Sequence, residues 1–146
     1  MSNYLELQQT IDKVIGKIGL ENTKTLLDGF INNTEIKQTE RDKIAMISHY
    51  LVSSAVKVFE LKEELFYTSS VREYRDARMC CFHLLRQYTQ DSFPKIGLFF
   101  NQKARIVMYG FFVLEDHLAM PKGNSKLVAK YRLLQSLLVE FIGKIN

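Results

Sequence analysis

Apolar residues return every three or four positions along almost the whole chain, and nowhere do they alternate with polar ones over a strand's length. That spacing belongs to one face of a helix, so it constrains the fold more than any other feature of the sequence. Over 71–89 the apolar positions are Ala77, Cys81, Leu84, Leu85 and Tyr88. Over 41–58 they are Ile44, Ile47, Leu51, Ala55 and Val58. The same spacing gives Leu7, Ile11, Val14, Ile15 and Ile18 over 4–18, and Leu26, Leu27, Phe30 and Ile31 over 22–32. Later helices are expected over 93–100, over 103–118 on Val107, Phe111, Leu114 and Leu118, and over 125–143 on Leu127, Tyr131, Leu134, Leu138 and Phe141. With two Pro and seven Gly in 146 residues, little breaks these runs. The expected fold class is an all-α helical bundle with an N-terminal helical hairpin.

The joints have their own chemistry. Gly19 suits a left-handed C-cap. Ser92 suits an N-cap with Pro94 tolerated in the turn behind it, and Asn101 suits a left-handed turn residue. Pro121 and Gly123 end the helix before them. Residues 33–40, NTEIKQTE, are polar throughout and give the best boundary, between an N-terminal extension 1–40 and a main domain 41–146.

The hydrophobic content of 47% is enough for a real core. Charge is unevenly spread: residues 1–68 hold 8 Lys/Arg against 10 Asp/Glu, and 69–146 hold 12 against 6. The two halves therefore stand at −2 and +6, which points to an anionic partner for the basic half unless the imbalance is only a solvated surface. No run reaches the 18 or so apolar residues of a membrane span. The start, MSNYLELQQTIDKV, lacks the basic lead and long apolar stretch of a signal peptide, so a cytoplasmic location is expected. Cys80 and Cys81 are neighbours on a helix and point about 100° apart, so they read as two buried thiols rather than a disulfide.

Chemistry of the catalytic kind is not visible. Neither a phosphate-binding loop of the G-x-x-x-x-G-K-[ST] type nor a G-x-G-x-x-G fingerprint occurs. His49, His83 and His117 lie far apart and read as packing or capping residues. No catalytic residue, no metal ligand and no cofactor is expected, and the chain is not expected to be an enzyme.

On the long helix, Arg72, Arg75, Arg78 and Arg86 fall within roughly 120° of one another, opposite the apolar stripe. They form either a phosphate-facing flank or a solvated face balanced by Glu73 and Asp76.

The stretch from Val56 to Gly97 resembles the C-terminal DNA-binding domain of DnaA-type bacterial replication initiators. "VKVFELKEEL" resembles the family's first helix and the short helix after it. "REYRDARMCCFHLLRQYT" resembles its long helix. "TQDSFPKIGLFF" resembles the signature that opens its helix-turn-helix, carried here by Thr89, Ser92, Phe93, Ile96, Gly97 and Phe100. Including the last helix, the resemblance takes in roughly 43–142, about two thirds of the chain. It implies a Trp-repressor-type helix-turn-helix and double-stranded DNA as partner, without the initiators' ATPase module.

The segment after the turn departs from the family. Where the family has Gly-Gly-Arg-Asp-His-Thr-Thr-Val, this chain has Asn101 to Met108, and only Lys103 keeps its counterpart's charge. The outward face of that helix carries Gln102, Arg105, Tyr109, Phe112 and Asp116. Arg and Gln suit guanine and adenine edges in the major groove. The expected DNA-binding residues are therefore Arg72, Arg75, Arg78, Arg86, Lys95, Gln102, Lys103, Arg105 and Tyr109, with the basic ones on phosphates. The function expected is non-enzymatic double-stranded DNA binding in transcription or replication control, through an initiator-like helix-turn-helix. Tyr109 and Phe112 leave a second function open, a protein-interaction module or homodimer surface on a scaffold that has lost DNA reading, and the N-terminal hairpin could equally cover both rings.

Overall fold

The computed structural model describes the backbone of residues 2–32 and 40–145, with side chains at 3–29 and 44–145. It is all-α: seven helices and two short 3-10 turns, with no strand among the described residues. The polar boundary expected at 33–40 falls almost wholly on residues 33–39, outside those described. The chain packs as two units, residues 1–43 with 136–146 and residues 44–135.

In the first unit, α1 (Ser2–Ile18) and α2 (Leu20–Asn32) form the expected hairpin. Gly19 closes α1 at φ +88°, a left-handed conformation that glycine adopts without steric cost. Its N–H donates to Ile15 O at 2.8 Å, and the Thr23 hydroxyl donates back to Gly19 O at 2.8 Å. Burial along α1 rises toward this joint. Ile18 is buried and Ile11, Val14 and Ile15 are half-buried, but Leu7, expected on the inward stripe, is exposed. Gly29 and Gly143 meet backbone to backbone, with no room for a Cβ on Gly29.

The second unit holds most of the core. Its helices are α3 (Glu40–Val58) from Ile44 onward, α4 (Arg72–Thr89), α5 (Phe93–Phe100), α6 (Ala104–Ala119) and α7 (Ser125–Ile145) as far as Gln135. Leu51, Ala55, Ala77, Leu84, Phe100, Val107, Leu114, Tyr131 and Leu134 are fully buried. Cys80 and Cys81 are free and buried, and their apolar surroundings raise both thiol pKa values, which keeps them protonated and inert. Rings of Phe66, Tyr67, Phe82, Phe99 and Phe100 cluster against one another, the closest pair being Phe82 and Phe100 with centroids 5.0 Å apart.

The connection between α3 and α4 folds back over α4. Tyr74 on α4 accepts the Lys62 N–H at 2.9 Å, and Phe66 sits fully buried in the core. Arg78 completes the attachment, donating from Nη1 to Phe66 O at 2.8 Å and from Nη2 to Ser69 O at 2.7 Å. Arg78 is therefore buried, with its guanidinium spent on two carbonyls. Its expected place among exposed phosphate contacts is corrected. A helical projection gives the direction of a side chain, but not the loop that returns to cover that side.

Candidate nucleic-acid interface

The joint between α4 and α5 is made by the residues of the T-x-x-S stretch. The Thr89 hydroxyl donates to Leu85 O at 2.6 Å and accepts the Asp91 N–H at 3.2 Å, while Gln90 turns the chain at φ 60°. Ser92 Oγ accepts the Lys95 N–H at 3.3 Å, which caps α5 as expected. Eight residues later α5 ends in a tight turn with Asn101 left-handed at φ 55°. There Gln102 N–H donates to Gly97 O at 2.8 Å and Asn101 N–H to Leu98 O at 3.4 Å, the paired bonds of a Schellman motif. Gly97 is the residue that allows it, because a Cβ there would strike Gln102 O. The geometry of the signature is thus explained by hydroxyl caps on one side and a missing Cβ on the other.

α6 leaves this turn and packs on α4 and α5. Gly110 lies against the Phe82 ring, where an added Cβ would come within 3.2 Å of Cδ2. Deeper along α6, His83 of α4 is buried and ties three helices together. Its Nε2 lies 2.7 Å from Glu115 Oε1 on α6, and its Nδ1 lies 2.7 Å from the Tyr131 hydroxyl on α7. The Tyr131 hydroxyl also reaches Gln87 Oε1 at 3.3 Å, and the His83 ring stacks on Phe111 at 4.7 Å. Burial lowers the His83 pKa, opposed in part by its bond to Glu115. The rotation of α6 about its axis is fixed by this network, so the residues it turns outward are held in place.

Those residues are Arg105, Ile106, Met108, Tyr109 and Phe112, all exposed, with Tyr109 at 72% and Phe112 at 55%. Gln102 is half-buried. Basic residues border the stripe on both sides. On one side, a groove of about 430 Å³ between α4 and α6 is lined by Arg72, Arg75 and Arg78 from α4 and by Gln102, Ile106 and Tyr109 from α6. Asp76 also lines it and forms a loose 3.8 Å pair with Arg72, whose side chain stays largely exposed. On the other side, the Arg86 guanidinium stands 5.0 Å over the Phe93 ring, which is 6.4 Å from that of Phe112. Arg86 also donates to Asp91 O at 3.0 Å. Lys95 and Lys103 are exposed near the two ends of α5.

Of the nine residues expected to bind DNA, four, Arg72, Arg75, Gln102 and Tyr109, share the α4–α6 groove in positions a ligand could reach. Lys95, Lys103 and Arg105 are exposed outside it, Arg86 lies on the opposite flank, and Arg78 is withdrawn into the scaffold. Phe93, Ile106 and Met108 also border or form the stripe and are absent from the expected DNA-binding set. The last two flank the inward stripe on a helical projection and could have been found that way. Phe93 could not, since its link from Arg86 to Phe112 joins three elements.

Among the described residues no group of three His, Cys, Asp or Glu side chains could hold a metal ion, and no helix is long and apolar enough to cross a membrane. No family model matches the chain, and no solved structure does. Over 110 residues the chain is 30% identical to the chromosomal replication initiator protein DnaA of Synechocystis sp., an alignment covering 74% of this chain and 24% of that protein. The chain thus spans about a quarter of the length of the curated relative it matches, and most of it is similar to one part of a replication initiator.

Proposed function

We propose that this chain is a non-enzymatic double-stranded DNA-binding protein acting in replication or transcription control, with α5, the Asn101 turn and α6 as its helix-turn-helix. The observation that carries this reading is the outward stripe of α6, on a helix tied to α4 through the His83–Glu115 bond and bordered on both sides by arginines. A helix set into the major groove needs this arrangement, with phosphate contacts to either side and base contacts between them. Arg72, Arg75, Arg86, Lys95 and Lys103 are assigned to phosphates, and Arg105 with Gln102 to base edges. The similarity to an initiator supports the reading. The altered segment after the turn assigns the chain a different target sequence from the initiators' own.

Titration of random and selected duplexes at several salt concentrations tests it. Arg72→Ala and Arg75→Ala should weaken binding to all duplexes alike and flatten the salt dependence by about one counterion each. Arg105→Ala should cost about 1–3 kcal/mol on the selected duplex and relax its sequence at one position. Absence of duplex binding at low salt would remove this reading. It would favour a protein partner seated on the exposed Tyr109 and Phe112 rings.

A further inference from the structure

The outward stripe of α6 is poor in hydrogen-bonding groups and rich in apolar surface. Over its first three turns Arg105 is the one exposed charged side chain and the Tyr109 hydroxyl the one other exposed polar side-chain group, whereas Ile106, Met108, Tyr109 and Phe112 are 44%, 43%, 72% and 55% exposed. Resting on the DNA-binding reading above, we infer that Ile106, Tyr109 and Phe112 determine specificity by packing against thymine C5-methyl groups in the major groove.

The major-groove edges of guanine, adenine and cytosine present donors and acceptors, and thymine alone adds an apolar group. Pressing aromatic and aliphatic side chains onto the polar edges would strip them of water without giving a hydrogen bond, which costs free energy at each group left unpaired. Packed on a methyl group, the same side chains bury apolar surface on both partners. From Ile106 to Phe112 the helix rises about 9 Å, enough to address roughly three base steps of about 3.4 Å.

Charge identifies the occupant as nucleic acid rather than an apolar protein surface. Arg72 and Arg75 line the groove that Ile106 and Tyr109 enter, and Arg86 stands over the ring next to Phe112. Past Phe112 the exposed residues Glu115 and Asp116 bring negative charge, which confines the phosphate-bearing partner to the N-terminal turns of α6.

The test uses the full chain and duplexes selected from a random pool. The recovered duplex is synthesised twice, once with thymine and once with deoxyuridine, which deletes the C5-methyl and keeps all base-pairing and hydrogen-bonding groups. The uracil duplex should bind about tenfold more weakly. Ile106→Ser, Tyr109→Ser and Phe112→Ser combined should bring the two duplexes to equal affinity while leaving the salt dependence in place. Equal affinity of the wild-type chain for both duplexes, or a recovered motif with no fixed thymine, would overturn this inference and leave DNA binding standing. Recovery of no duplex at all would overturn the DNA-binding reading together with it.

Discussion

α4 and α6 lie against each other, and their sequences and environments run opposite to expectation. α4 carries four arginines, yet nine of its residues are buried, Arg78 and His83 among them. α6 is rich in aliphatic and aromatic residues, yet only Val107, Gly110 and Leu114 are buried. In α4 two polar groups are absorbed by the scaffold: Arg78 fastens the preceding loop and His83 fastens α6 and α7. In α6 apolar surface is left in water although burying it would stabilise the fold. α4 thus spends one arginine and its histidine on the scaffold and keeps Arg72 and Arg75 at the surface, whereas α6 keeps large rings exposed, as interaction surfaces do.

The sharpest way to break this contrast is at Arg78. Arg78→Ala leaves Phe66 O and Ser69 O without their donors and should lower stability by about 3 kcal/mol in denaturant unfolding. A variant of unchanged stability that binds DNA more weakly would return Arg78 to the interface and erase the distinction between the helices. A smaller effect is expected at the turn that aims α6. Gly97→Ala drives a Cβ into Gln102 O, so the turn must open, at a cost of about 2 kcal/mol. Undiminished stability there would mean that the turn tolerates a second geometry, and that the direction of α6 is less fixed than its contacts imply.

Much of this was legible in the sequence because it is local. Helix extents follow from periodicity, and the caps at Ser92, Asn101 and Gly19 follow from residue chemistry that acts within a few positions. The errors share one cause. Arg78 pointed where the helical projection placed it, but the loop through Phe66 and Ser69 had come back to meet it. Leu7 lies on the predicted stripe of α1, but toward the end far from Gly19, where burial runs out. The candidate site divides along the same line. Exposure of Arg105, Tyr109 and Phe112 follows from their phase on one helix, whereas their arginine borders depend on α4 and on Phe93 of α5, which periodicity does not place.

The smallest effect concerns the bond that joins the two helices. His83 is nearly enclosed, and burial lowers its pKa below the ordinary 6.5 despite the opposing contribution from Glu115. The folded chain therefore binds that proton more weakly than the unfolded chain does. As pH falls through the ordinary value the unfolded state is protonated first, and stability should decline on the acid side and be fully present above it. Thermal melting followed from neutral to mildly acidic pH should show this decline, and His83→Gln should reduce it, since a glutamine can keep a hydrogen bond but takes up no proton in that range. An identical acid slope in wild type and His83→Gln would assign it to other groups. A decline confined to the wild-type chain would identify the burial of the His83 imidazole, which penalises its charged form, as the source of the acid sensitivity.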